Sequence, residues 1–237
     1  MPGTHPLIIA HRGASASARE NTLEAFHLAV TQDADGIELD VRRTADGVIV
    51  VHHDPDVEGL GRLADVSFGR LRADAPWIPT LDEALPVTGD LLLDVEVKND
   101  PAEPDHDPDQ RVAKAVAGWA ATLRLERRVV VTSFDPWAVA AVQVEAPTVP
   151  TGLLVATSTP IDAALASASD AGHSWLLPHW AALAGDASRL IAEAHRESLM
   201  VVTWTVDHPE VMRRLADQGV DGIITNDPEA ANRLLAG

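Results

Sequence analysis

The chain has 237 residues, 46% of them hydrophobic, enough to bury a substantial core. Its 18 Lys and Arg face 36 Asp and Glu, and the formal charge of −18 argues against nucleic acid or an anionic membrane surface as partner. Cysteine is absent, which excludes disulfides, thiolate metal sites and a cysteine nucleophile, so any metal must be held by oxygen or imidazole.

Apolar strand-like runs fall at 7–10, 36–41, 91–97, 129–132, 151–155, 175–177, 200–206 and 222–225. Ala- and Leu-rich helical stretches separate them at 22–31, 110–123, 137–144, 161–171, 187–197, 209–218 and 228–235, and a further short helix is expected to begin near Thr80. Strict alternation predicts a parallel sheet, and eight repeats in a chain of this length predict an α/β fold of the closed (β/α)8 TIM-barrel kind rather than an open doubly wound sheet. A single domain over 1–237 is expected, because no Gly/Ser linker, low-complexity tract or sequence repeat interrupts it. Two segments read as irregular: a short insertion at 54–79, between strand two and helix two, and a Pro/Asp-rich loop at 99–109 that reads as solvated. No apolar run approaches the roughly 20 residues that span a bilayer. Residues 1–6 carry no basic region or long apolar stretch, so a cytoplasmic protein without stable membrane insertion is expected.

Chemistry-bearing residues collect at the ends of the early strands. His11-Arg12-Gly13 closes the first, Glu38-Leu39-Asp40 lies in the second, and His53-Asp54 follows a Thr44 to Gly47 turn. Asp94-Val95-Glu96-Val97-Lys98 ends the third. Glu38 and Asp40 are two apart and share a strand face, as do Glu96 and Lys98. At a barrel's C-terminal mouth such carboxylates converge, and Glu38, Asp40 and Glu96 together suit one hard divalent cation, Mg2+ or Ca2+. Pairing of the acids with Arg42 and Arg43 is the structural alternative. His11 and His53 each lie at the end of an apolar run and beside a charged residue, Arg12 or Asp54, which suits them to proton transfer. Arg12 and Lys98 can hold phosphate oxygens, or else form internal ion pairs with the acids. Glu20 can orient His11 or Arg12 from the rim, with Asn21 as the cap of the following helix. Phe134 and Trp204, at the ends of strands four and seven, can wall an apolar side of the pocket. The pattern points to metal-assisted attack on a phosphate ester.

The ordered set resembles the glycerophosphodiester phosphodiesterase family, whose pattern is His-Arg-Gly, Pro-Glu-Asn-Thr, Glu-x-Asp with Thr-x-Asp-Gly, His-Asp and Glu-x-Lys. Pro79-Thr80-Leu81-Asp82-Glu83, Ser133-Phe134, Trp204-Thr205-Val206 and 219–228 extend the likeness over nearly the whole chain. The resemblance implies the barrel, metal ligands at Glu38, Asp40 and Glu96, proton transfer by His11 and His53, and phosphate contacts from Arg12 and Lys98. It implies hydrolysis of glycerophosphodiesters such as glycerophosphocholine or glycerophosphoethanolamine to sn-glycerol 3-phosphate and an alcohol. A lysophospholipase D or phospholipase-like phosphodiesterase on the same scaffold, and a non-catalytic phosphate-ligand-binding barrel, are the alternatives. The short insertion suggests small, water-soluble head groups. Arg19 stands where the family has proline, and Asp207 where asparagine is common; neither departure is expected to touch the metal ligands or the histidines.

Overall fold

The computed structural model describes residues 5–235, so residues 1–4 and 236–237 of the expected domain lie outside it. Apolar side chains of β1 (Leu7–His11) alternate between two faces, Ile9 turning to one cluster and Ile8 to another. Thr22 starts α1 (Leu23–Thr31) by accepting a hydrogen bond from Ala25 N, the kind of cap that contributes about 1 kcal/mol. Asn21, expected as that cap, instead holds a left-handed conformation at φ 55° one residue earlier and turns its amide to β2 (Gly36–Arg43).

After β2 the chain doubles back. Gly47, at φ 83°, closes the Thr44 to Gly47 turn, and the turn delivers β3 (Ile49–Val51), antiparallel to β2. The insertion is ordered rather than irregular. It holds a ribbon of β4 (Asp56–Val57) and β5 (Gly61–Arg62), a 3-10 turn at Leu63–Asp65 and α2 (Phe68–Asp74). Val50, Val57, Leu63, Val66, Leu71, Ala75 and Ile78 give it a small core of its own. A capping box between Thr80 and Glu83 opens α3 (Leu81–Ala84), which runs on as a 3-10 turn at Leu85–Thr88.

Regular alternation follows: β6 (Leu92–Val97), α4 (Arg111–Thr122), β7 (Val129–Ser133), α5 (Pro136–Glu145), β8 (Thr151–Val155), α6 (Ile161–Asp170) and β9 (Trp175–Pro178). A 3-10 turn at Trp180–Leu183 then precedes α7 (Ser188–Arg196), β10 (Met200–Thr203), α8 (Pro209–Asp217), β11 (Gly222–Thr225) and α9 (Pro228–Leu235). β1 pairs in parallel with both β2 and β11, and the ladder β2-β6-β7-β8-β9-β10-β11 runs between them, so eight parallel strands close a barrel. The expected strand at 200–206 stops at Thr203, with one isolated bridge from Trp204 to His179 beyond it, and the Trp204 indole donates to Leu177 O at 2.7 Å.

Ile9, Val130, Leu154, Trp175, Leu177, Val202 and Ile224, drawn from six strands, pack together as the barrel's filling. Outward residues such as Ile8, Leu176, Val201 and Ile223 meet Leu165, Ile191 and Leu215 of the surrounding helices. Strand register then decides which polar residues become neighbours at the mouth. His11 lies beside Glu38, Asp40 beside Glu96, and Glu96 beside Thr132.

Candidate active site

That register brings Glu38, Asp40 and Glu96 together, with one oxygen of each within 4.8 Å of the others, all three buried. Their partners are divided. Arg12 N donates to Glu38 Oε2 at 2.9 Å, and Asn21 Nδ2 donates to Asp40 Oδ2 at 2.8 Å. Lys98 Nζ lies 2.7 Å from Glu96 Oε1 and 3.5 Å from Asp40 Oδ1. Glu38 Oε1 and Asp40 Oδ1 are buried with no hydrogen-bond partner among the described residues.

The electrostatics follow from crowding. Burial first, then the Asp40 and Glu96 charges, push the Glu38 carboxyl well above the usual range. Burial also pushes Glu96 up to about 7 against the pull of Lys98. Asp40 is held below its usual value, since Lys98, Arg12 and His53 together outweigh its burial. Buried acids with two orphaned oxygens are the environment a divalent cation satisfies, and oxygen-only donors fit Mg2+ or Ca2+. The residues present fit one such ion.

Arg12 and Lys98 stand where they were expected and make the ion pairs named as their structural alternative. Arg12 Nε lies 3.1 Å from Asp40 Oδ2, and Nη1 donates to Glu20 Oε1 at 2.9 Å, so Glu20 braces Arg12 rather than His11. Gly13 lets this turn form: it sits at φ 80°, and a Cβ there would come within 2.6 Å of the Ala25 carbonyl carbon. Arg42 and Arg43 do not serve the cluster. Arg42 binds Glu103 and Asp105, and Arg43 lies 3.9 Å from Asp107.

His11 and His53 both border the same cleft of about 130 Å³, together with Arg12, Glu38, Glu96 and Lys98. His11 Nδ1 donates to Asn226 Oδ1 at 2.7 Å, which leaves Nε2 as the open nitrogen, 4.0 Å from Glu38 Oε2. Burial and the adjacent Arg12 charge lower its pKa. His53 Nδ1 pairs with Asp54 Oδ1 at 2.7 Å. The segment is anchored by His52 N, which donates to Asp40 O at 3.0 Å. Phe134 and Trp204 meet edge to face, with centroids 5.4 Å apart, and wall the apolar side of the cleft while also packing on the barrel filling.

Sequence reasoning missed three participants. Asp94 faces the same cleft on the strand face of Glu96, and burial pushes its carboxyl up to about 8; the period of two in Asp94-Val95-Glu96 was the available signal. Asn226 holds His11, and Asp207 in turn accepts from Asn226 Nδ2 at 2.6 Å and from Asn226 N at 2.9 Å. The Asp207 departure therefore does reach a histidine, through one intervening amide. The loop at 99–109 is largely solvent-exposed, as expected, and is tied down at buried Asp107, which accepts from Arg111 and from its own loop.

A model of the glycerophosphoryl diester phosphodiesterase family matches residues 11–230. A glycerophosphodiester phosphodiesterase from Caldanaerobacter subterraneus is 33% identical over 97% of this chain and 97% of its own. A solved structure from Silicibacter pomeroyi, named by likeness as a glycerophosphoryl diester phosphodiesterase, superposes with a TM-score of 0.86 at 29% identity, covering 98% of this chain and 93% of that one. The glycerophosphodiester phosphodiesterase structure from Thermotoga maritima superposes at 0.83 with 25% identity, covering 97% and 98%.

Proposed function

Because the chain belongs to the glycerophosphoryl diester phosphodiesterase family, we propose that its mouth cleft carries out metal-dependent hydrolysis of glycerophosphodiesters to sn-glycerol 3-phosphate and an alcohol, with His11 and His53 as the acid and base. The observation that carries this reading is the convergence of Glu38, Asp40 and Glu96, with Glu38 Oε1 and Asp40 Oδ1 unpartnered among the described residues, beside a cleft that Glu38, Glu96, His11 and His53 line. Glu38, Asp40 and Glu96 would hold one divalent cation, Mg2+ or Ca2+, which when bound polarises the phosphoryl group.

Arg12 and Lys98 take the phosphoryl oxygens, Arg12 through its planar fork and Lys98 as a point charge. Glu20, Asp40 and Glu96 keep both cations pointed at that place before substrate arrives. His11 is neutral near pH 7, its lowered pKa following from burial and Arg12, so its Nε2 accepts the proton of the attacking oxygen. The attacking oxygen is water or the substrate's own 2-hydroxyl. His53 delivers a proton to the departing alkoxide. Phe134 and Trp204 shield the glycerol carbons from water. Most apolar residues of the short insertion pack in a small core of their own, and its shortness favours compact, water-soluble head groups. None of the described helices is long and apolar enough to cross a membrane. The cytoplasm remains the proposed location.

His11→Ala separates catalysis from simple ligand binding. Glycerophosphocholine turnover is expected to fall by about 10²- to 10⁴-fold with KM little changed; parent-like turnover would remove His11 as the general base, and a parent that binds glycerophosphocholine without turning it over, with affinity unchanged in His11→Ala, would be a binding barrel.

A further inference from the structure

Arg42 is 1% exposed, two residues beyond Asp40 on the same strand face, yet its guanidinium turns away from the acid cluster. All its reach is spent elsewhere. Nε donates to the His53 carbonyl at 2.7 Å, Nη1 to Asp105 Oδ2 at 2.8 Å and Nη2 to Glu103 Oε2 at 2.7 Å. On the other side of the same segment, His52 N donates to Asp40 O at 3.0 Å. The chain that carries His53 is therefore gripped between two residues of β2, and the grip extends to the loop after β6.

The His53 imidazole is one-third exposed, and its side-chain partner, Asp54, is 69% exposed. Such a pair is too solvated to fix a ring, so the position of His53 is set through its main chain. A guanidinium is the side chain that can bond three acceptors in one plane, and its burial is compensated because each nitrogen is paired. We propose that Arg42 is a positioning residue for His53, locking the peptide that carries the imidazole to the loop acids Glu103 and Asp105. This rests on the reading of His53 as the group that protonates the leaving alkoxide. Arg42 itself touches no reacting atom.

The test compares glycerophosphocholine, whose alkoxide needs a proton, with a p-nitrophenyl phosphodiester, whose leaving group does not. Arg42→Gln is expected to lower kcat on glycerophosphocholine by about 10- to 100-fold and on the p-nitrophenyl ester by less than about threefold. His53→Ala run alongside is expected to show the same selectivity. The double variant Glu103→Gln/Asp105→Asn, which leaves Arg42 in place, should reproduce it more weakly and carries the test if Arg42→Gln does not fold. Equal losses on both substrates from these variants, with selective loss from His53→Ala, overturn the positioning role alone. Absence of selectivity in His53→Ala overturns the proton-donor reading, and the positioning role with it.

Discussion

Asn226 Oδ1 lies 2.7 Å from His11 Nδ1 while its Nδ2 donates to Asp207 Oδ2 at 2.6 Å, so one amide fixes both the tautomer and the orientation of the ring. Asp207 can only accept here, and that forces the amide oxygen toward His11. Asp207→Asn is expected to lower kcat by about 2- to 10-fold, the order that follows from losing one solvent-exposed hydrogen bond of ~0.5–1.5 kcal/mol. Adding Asn226→Asp to it should recover most of the loss, because an acceptor then faces His11 again and the amide introduced in place of Asp207 donates. Kinetics on the single and double variants check this. An additive loss in the double variant contradicts the relay.

Asp94 is 1% exposed, accepts from Thr132 Oγ1 at 2.6 Å, and has no partner for Oδ2 among the described residues. Its folded-state pKa, pushed by burial and the Glu96 charge from 3.8 to about 8, lies above the unfolded one. Between those values the folded protein binds the extra proton, so the contribution is present at low pH and is lost as pH rises through about 8. Asp94→Asn is expected to flatten this decline, its advantage over the parent growing from pH 5 to pH 9. Urea unfolding in chelator across that range measures it.

Glu38 carries the same crowding, raised by burial and by Asp40 and Glu96. Without a cation, Glu38→Gln is expected to be the more stable protein, with a higher Tm. Saturating Mg2+ or Ca2+ should raise the Tm of the parent and leave that of the variant nearly unmoved. Thermal melts in chelator and in each metal read both effects.

Gly13→Ala brings a methyl group against the Ala25 backbone at 2.6 Å, from a residue at φ 80°. A loss of about 2–4 kcal/mol in unfolding free energy is expected. Activity should fall further than stability alone explains, because Arg12 enters the cleft from the neighbouring position. Parent-like unfolding would show that the turn has room the geometry denies.

Most of the barrel is legible in the chain because its strands are short and rich in Val, Ile and Leu and its helices repeat small and apolar residues, so hydrophobic patterning sorts most of them. The insertion escaped because its apolar residues, Val57, Leu63, Val66 and Leu71, are isolated among polar ones, and only their assembly in three dimensions makes a core. The acid triplet was readable, since a strand's period of two places Glu38 with Asp40 and parallel register adds Glu96. Its supports were not. Asn226 meets His11 across 215 positions and Arg42 meets Asp105 across 63, and no local pattern encodes either contact. Asn21 was misplaced because Asn and Thr both cap helices, and the left-handed turn at Asn21 gives the cap to Thr22.

The central claim, that Glu38, Asp40 and Glu96 gather one cation on which phosphodiester cleavage depends, is tested most directly by following sn-glycerol 3-phosphate release from glycerophosphocholine as Mg2+ or Ca2+ is returned to metal-stripped protein. Release is expected to be absent at the start, to rise to saturation with one cation bound per chain, and to stay absent in Glu38→Gln. Undiminished release in excess chelator would contradict the account.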